Sequence, residues 1–276
     1  MQGVASSYQR NTTFALPKNS NLLPDHGKEN PARTTFDNQL IELESVDSTN
    51  NYAMARIHEG LASDGTVYLA RHQWAGKGQR GKTWISEPGQ NLMMSLIIEP
   101  SPLNLSHQFL FSAAIALAIL DLVKGFEKKN WKIKWPNDIY WSDRKAGGLL
   151  IESVVTGQTW SWAIVGIGMN LNQSSFPTEI PNAISLNQIT GARYEPVAIA
   201  RELIPGIRKQ ISILHQAPDQ ILRRLNDSLY KKDQAIALRK KDELFVSVLK
   251  GVDSNGLLIM EDGLFKSGEV EWIVDT

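Results

Sequence analysis

The stretch Gly76-Lys77-Gly78-Gln79-Arg80-Gly81-Lys82-Thr83 constrains this chain more than any other, because it satisfies two phosphate-binding patterns and the context of neither. It reads as GxxxxGK[ST], the P-loop, and it contains GxGxxG, the dinucleotide fingerprint. Both patterns need a helix opening directly after the glycines, so that its first amide groups face the phosphate. Here the chain continues Thr83-Trp84-Ile85-Ser86-Glu87-Pro88-Gly89, which offers β-branched residues and then a proline and a glycine. No helix is expected there, and with it go the P-loop and Rossmann readings. The composition of the loop keeps its meaning. Three glycines let the backbone approach a ligand closely, and Lys77, Arg80 and Lys82 supply positive charge. Such a loop suits an anionic ligand, a nucleotide or an acyl phosphate; a solvated connector between strands is the competing reading.

Composition removes other classes. The 276 residues carry 29 basic and 29 acidic side chains, and a neutral total argues against a protein whose main work is coating nucleic acid. Zero cysteines exclude a disulfide framework, a thiolate metal site, an iron–sulfur cluster and a cysteine nucleophile, and fit a reducing, cytoplasmic setting. The five histidines are scattered, so no structural metal is expected. The most apolar segment, Phe109 to Leu120, is stopped by Asp121, short of the roughly 18 residues that span a bilayer. It reads as a buried core helix, and no membrane association is expected.

Residues 1–36 are rich in Asn, Ser, Thr, Gln and Pro without hydrophobic period, and read as a disordered tail with only a faint likeness to a transit peptide. From Leu40 the texture changes. LIELESV reads as a strand, and Asp47-Ser48-Thr49-Asn50 as N-cap chemistry opening a short helix that ends near Gly60. Strands are expected at 65–72 and 91–99, then a long helix from about Ser106 to Phe126. Two short strands flank Pro136-Asn137-Asp138, and a hairpin of buried strands spans 148–171, turning at Thr156-Gly157-Gln158. Helices follow over about Pro196–Leu214, strained by Pro205, and Pro218–Tyr230. Beyond Lys231 the helical period gives way to short strands split by Asp-Ser-Asn-Gly and Asp-Gly turns, which reads as a small β-barrel appended to an α+β domain.

Several blocks then fall in a telling order. Asp47-Ser48-Thr49-Asn50 and the glycine loop, entered through Gln73-Trp74-Ala75, are followed by Lys134-Trp135-Pro136-Asn137-Asp138. Next come Lys145-Ala146-Gly147-Gly148-Leu149-Leu150-Ile151-Glu152 and Gly166-Ile167-Gly168-Met169-Asn170. In this order they resemble the biotin protein ligases across residues 40–276. The resemblance implies an α+β fold: a catalytic domain over 37–230 like that of class II aminoacyl-tRNA synthetases, a mixed sheet with helices, followed over 231–276 by an SH3-like β-barrel. It also implies a two-step reaction. Biotin and ATP, with Mg²⁺, give biotinyl-5′-AMP and pyrophosphate; a lysine of a biotin carboxyl carrier domain then attacks the mixed anhydride.

The same resemblance distributes roles. Ser48, Thr49, Asn50, Gln73, Lys77, Gly78, Gln79, Lys145 and Gly147 would hold biotin; Arg80, Lys82, Trp84, Asn137, Asp138, Lys145 and Asn170 would hold ATP. Lys145, Lys77 and Arg80 would act in catalysis. The chemistry suits the types. A side-chain amide at Gln73 complements a ureido group, which both donates and accepts. An ammonium at Lys145 would bring two repelling anions, carboxylate and α-phosphate, together. Ser48 to Asn50 would equally serve as an N-cap, Trp84 as core filling and Pro136-Asn137-Asp138 as a plain turn.

Two departures from the resemblance stand out. The family loop is commonly G-R-G-R-x-G, whereas Lys77 and Gln79 stand at its arginine positions. The N-terminal operator-binding helix-turn-helix of many relatives is not expected, the polar tail being too short for it, so no nucleic-acid partner is expected either. A homodimer accords with the family. A lipoate or octanoate ligase of the same superfamily is the alternative, although Gly76-Lys77-Gly78-Gln79-Arg80-Gly81-Lys82-Thr83 does not reproduce the pattern of a doubled arginine with three glycines usual there.

Overall fold

The computed structural model describes residues 40–273, all within one compact unit. The expected tail over 1–36 lies outside the described residues.

The unit is organised by a seven-stranded mixed sheet. In chain order its elements are β1 (Leu40–Val46), α1 (Thr49–His58), β2 (Val67–Gln73), β3 (Leu92–Ile98), α2 (Gln108–Phe126), β4 (Trp131–Lys134), β5 (Asp138–Trp141), β6 (Arg144–Thr156) and β7 (Thr159–Met169). The strands lie in the order β1-β2-β3-β7-β6-β5-β4. Only β1 and β2 run parallel, with α1 as the crossover such a pair requires. Three helices follow: α3 (Leu186–Thr190), α4 (Pro196–Gln216) and α5 (Pro218–Asp227).

One face of the sheet buries the main core. Val67 and Leu69 on β2, Met94, Leu96 and Ile98 on β3, and Val165, Ile167 and Met169 on β7 pack there with the helices. α2 is apolar nearly all round because the sheet lies on one side of it and α4 and α5 on the other. The segment Leu105–Phe126 is long and apolar enough to cross a membrane by length and composition, and its apolar surface is largely taken up by these neighbours. Its one acidic residue, Asp121, is tied to Arg224 at 2.8 Å and to Gln210 Nε2 at 2.8 Å, which binds the three helices together. α4 runs unbroken through Pro205, where the sequence suggests strain. Its buried stripe of Ile199, Leu203, Ile207, Ile211 and Leu214 continues on both sides of the proline, so tertiary packing outweighs the lost backbone bond.

The opposite face is covered differently. α1 shields only Tyr68, Ile97 and Ile164, with Ala53 from the helix completing a small second cluster. Beyond that cluster the face carries Asn50, Gly148, Gly166 and Gly168 beside the larger Trp84, Met93 and Leu150.

After α5 come β8 (Ala235–Lys240), β9 (Glu243–Val252), β10 (Leu258–Met260), β11 (Gly263–Phe265) and β12 (Glu271–Ile273). They form a five-stranded sheet in the order β11-β10-β9-β8-β12, antiparallel throughout. It is held to the larger sheet. Trp135 Nε1 donates to Gly256 O at 3.0 Å, and Asn226 bonds both the carbonyl (3.0 Å) and the amide (2.8 Å) of Val252. Two short elements are absent from the sequence reading: β11, three residues long, and α3, whose capping box of Ser185 and Gln188 and αL Gly191 are its signature.

Candidate functional site

The sheet face that α1 leaves open carries a cleft of about 470 Å³. Alternation along the strands explains its lining. On β7, Gly166, Ile167 and Gly168 all border it, and of the three Ile167 also packs in the main core, as the alternation of a strand directs. Neither glycine has room for a side chain. A Cβ at Gly166 would overlap Asn50, and one at Gly168 would lie 2.6 Å from the Trp84 indole. The G-I-G spacing is thus a floor on which two site residues rest.

At one end stands a buried polar wall. Asn50 Nδ2 donates to Glu152 Oε2 at 2.7 Å, and its Oδ1 accepts from Ser95 Oγ at 2.6 Å. Ser95 Oγ also lies 2.7 Å from Thr49 Oγ1. Gln73 Oε1 accepts from the Thr49 amide at 2.7 Å and from its hydroxyl at 3.0 Å. With its oxygen so committed, the Gln73 amide group is oriented to donate to a ligand. Ser48 is in extended conformation at the start of α1, and its side chain caps no amide. The Ser-Thr-Asn segment is therefore spent on the cleft and not on capping.

At the other end, Lys145 Nζ lies 2.6 Å from Asp138 Oδ1 and 5.9 Å from the centre of the Trp84 ring. The two glycines after Ala146 do different things. A Cβ at Gly148 would stand 3.0 Å from Asp138 Oδ1 and 3.4 Å from Lys145 Nζ, so Gly148 makes room for the ion pair. Gly147, expected in the site, packs under β7, where a Cβ would meet Gly168 O at 2.9 Å; Gly148 lines the cleft in its place. Asn137 lines the cleft and also clasps Leu149 O through its amide. Asn170 is not in the lining. Its Nδ2 donates to Lys145 O at 3.3 Å and Ile184 O at 3.2 Å, which fixes the backbone that carries Lys145.

Next to this end sits Lys134, opposite Asp138 in the β4–β5 ladder. Its Nζ lies 3.2 Å from Tyr140 Oη and faces the Trp272 ring at 5.4 Å. Burial pushes its pKa down to about 8, with Lys145, Lys82 and Lys231 adding to the depression and Asp138 opposing it. Burial, then Asp138, pushes the Tyr140 hydroxyl up.

The glycine loop borders the cleft as a small hairpin, closed by a bridge between Lys77 and Thr83 and by Trp84 N to Gly76 O at 2.9 Å. Its tip is one 3₁₀ turn, Gln79–Gly81, and no helix follows. Lys77, Gly78 and Gln79 reach the cleft, and Lys77 Nζ pairs with Glu152 Oε1 at 3.2 Å. Arg80 and Lys82 do not. They line a second, open cleft of about 760 Å³ with Leu150 and Glu152. Among the described residues, no cluster of three or more His, Asp or Glu is arranged to hold a metal ion.

The structure therefore gathers Ser48, Thr49, Asn50, Gln73, Lys77, Gly78, Gln79, Trp84, Asn137, Asp138 and Lys145 into one cleft. It leaves Arg80, Lys82, Gly147 and Asn170 outside the lining. Ser95 and Glu152, themselves outside the lining, hold Asn50 within it; the sequence reading missed both, although each has a signal: a lone hydroxyl in Met93-Met94-Ser95-Leu96-Ile97, and a carboxylate closing Gly147-Gly148-Leu149-Leu150-Ile151-Glu152.

An amide-and-hydroxyl pocket joined to a lysine–carboxylate pair beneath a basic glycine loop can receive a polar ring at one end and an anion at the other. The comparisons give this arrangement its family. The model of the biotin/lipoate A/B protein ligase family matches residues 42–170. The bifunctional ligase/repressor BirA of Salmonella typhimurium is 30% identical over 81% of this chain and 70% of that protein. A biotin–[acetyl-CoA-carboxylase] ligase of Mycobacterium tuberculosis is 27% identical over 82% of this chain and 84% of its own. The biotin protein ligase of Aquifex aeolicus, solved with biotin and ATP, is 25% identical, with a TM-score of 0.72 over 86% of this chain and 99% of that one. The chain belongs to the biotin/lipoate protein ligase family.

Proposed function

We propose that the protein is an ATP-dependent biotin–[biotin carboxyl-carrier protein] ligase. The observation that carries the reading is the cleft itself: a neutral hydrogen-bonding wall of Thr49, Asn50 and Gln73, backed by the buried Ser95, at one end and the Lys145–Asp138 pair at the other. The wall suits an uncharged polar ring, the ureido group of biotin, whereas the dithiolane of lipoate offers no hydrogen-bonding partner to it. Relatives named as biotin ligases, one of them solved with biotin and ATP, support biotin over lipoate.

The chemistry follows from the geometry. The biotin carboxylate attacks the α-phosphorus of ATP, the bond to the bridging oxygen breaks, and pyrophosphate leaves with Mg²⁺, which arrives with the nucleotide as part of the substrate. Lys145 offsets the charge of the two anions as they meet, and Asp138 holds that ammonium in place. In the second step a carrier lysine, as the free amine, attacks the acyl carbon, AMP departs, and the amine gives up a proton. Lys77 is set where it would face the carboxylate or acyl phosphate once it exchanges Glu152 for the ligand.

The finer assignments belong to the same proposal. We read residues 37–230 as a catalytic domain like that of class II aminoacyl-tRNA synthetases, supported by the mixed sheet, and 231–276 as an SH3-like barrel, supported by its five short antiparallel strands. The carrier domain of an acetyl-CoA or related carboxylase is the protein partner, as the names of the relatives suggest. A homodimer is part of the same reading; among the described residues β1 is one of the two terminal strands of the seven-stranded sheet and offers an edge to a second copy. The test is pyrophosphate release on mixing the protein with ATP and either biotin or lipoate. Release with biotin alone is expected, and release with lipoate alone would overturn the assignment.

A further inference from the structure

We infer that the small C-terminal sheet holds the tip of the glycine loop through Arg80, which makes Arg80 a positioning residue for ligand retention and not a phosphate ligand. The inference rests on the biotin-ligase reading for its kinetic consequences, though not for its geometry. Sequence resemblance places Arg80 with ATP; the fold sends it elsewhere. Arg80 lies outside the main cleft, and its Nη2 donates to Ser267 Oγ at 2.6 Å across 187 residues of sequence. Its guanidinium also covers Gly268 so closely that a Cβ there would overlap it.

Both sides of this contact are built. The receiving turn is stiffened by Glu269, which accepts from Lys266 N at 3.1 Å, returns its own amide to Lys266 O at 3.0 Å and pairs with Lys240 on β8 at 2.7 Å. Val270, next in the chain, is buried in the core. On the loop side, Arg80 adopts φ 56°, a left-handed conformation that a residue with a side chain takes only where its surroundings impose it. Gly81 follows at φ 74°, so the tip is a tight reversal whose one long side chain points outward to Ser267. The three residues before Arg80, Lys77, Gly78 and Gln79, line the cleft. Anchoring Arg80 therefore restricts the residues that close over the ligand, and lowers the ordering cost that binding would otherwise carry.

The test uses the full chain. Ser267→Ala removes the acceptor without touching the cleft or the core. In ligand-free protein, trypsin should cut the loop after Lys77 or Lys82 about fivefold faster in Ser267→Ala than in the parent, the factor that one lost hydrogen bond gives. In pyrophosphate-release kinetics, Arg80→Ala should raise KM for biotin about tenfold with kcat changed less than threefold, and Ser267→Ala should raise it in part. The double variant should be no worse than Arg80→Ala alone. Arg80→Lys, which keeps the charge and loses the fork, should not restore the parental KM. Parental proteolysis in Ser267→Ala, additive kinetic losses, or full rescue by Arg80→Lys would each overturn the latch. A parent that releases no pyrophosphate with biotin would overturn the biotin-ligase reading instead, while the trypsin comparison still decides the latch.

Discussion

On β7, Val165, Ile167 and Met169 point into the large helical core, whereas Ile164, Gly166 and Gly168 face α1 and the cleft. The same split runs along β3, with Met94, Leu96 and Ile98 on one side and Met93, Ser95 and Ile97 on the other. One strand thus supplies both faces at alternate positions. The core face is specified by volume, which many apolar combinations can meet. The site face is specified by what must be missing: Cβ atoms at Gly166, Gly168 and Gly148, so that Asn50, Trp84 and the Lys145–Asp138 pair can occupy the space.

The sharpest way to test that division is to remove a function without touching a fold. Lys145→Ala should cost adenylation at least about a thousandfold while leaving the melting temperature near that of the parent, because its charge acts mainly in the transition state. A pyrophosphate burst of parental size would remove Lys145 from its role. A paired comparison on adjacent residues comes next. Ile167→Ala should destabilise the protein by about 2–5 kcal/mol, measured by urea unfolding, with biotin affinity nearly unchanged. Gly166→Ala should weaken biotin binding about tenfold or more, because Asn50 must leave Ser95 and Glu152 to admit the methyl group. If calorimetry finds biotin binding lost in the first variant and kept in the second, the two faces do not divide the work as described.

The loop allows a finer contrast. Lys77 carries a charge into the cleft and Gln79 only a neutral dipole. Since charge-assisted hydrogen bonds are roughly twice as strong as neutral ones, Lys77→Ala should shorten the retention of labelled biotinyl-AMP clearly more than Gln79→Ala does. Gln79→Arg should lengthen it. Faster release from Gln79→Ala than from Lys77→Ala, in a filter-retention time course, would show that the loop does not grip the anion in this way.

The smallest effect concerns pH. The pKa of Lys134 is lowered in the fold to about 8, below its ordinary value of 10.5. Between these values the unfolded chain binds the proton and the folded one does not, so this group's contribution to stability rises with pH across that window. Lys134→Met removes the buried charge, and its melting temperature relative to the parent should therefore fall as pH is raised from 7 to 9. A constant difference over that range would mean that burial does not disfavour the charged lysine.

How much of this was legible depended on distance along the chain. The strands expected over 40–46, 65–72 and 91–99 and the hairpin over 148–171 fall within a few residues of β1, β2, β3 and β6–β7, because alternation and apolar runs are local signals. Three-residue β11 has too few residues to show a period. In the cleft, Thr49, Asn50, Gln73, Asp138 and Lys145 belong to recognisable blocks, and the same blocks carry neighbours that lie outside the lining. Gly147 and Gly148 look alike in sequence, and only the pleat decides which one faces the cleft. The resemblance gives Arg80 to ATP; its partner here, Ser267, follows β11 of the other sheet and leaves no trace near the loop. Ser95 and Glu152 matter through Asn50, a contact that spans 45 residues in one case and 102 in the other.

The glycine loop also lies between two tryptophans of opposite character. Trp74 precedes it and is 69% exposed, while Trp84 follows it and lines the cleft with its indole beside the Lys145 ammonium. The first should emit at long wavelength and be quenched by iodide; the second should respond to whatever enters the cleft. The protein thus carries an optical reporter at each end of the glycine loop, and in a variant whose other six tryptophans are replaced by phenylalanine, time-resolved fluorescence can follow the cleft and the exposure of the loop separately.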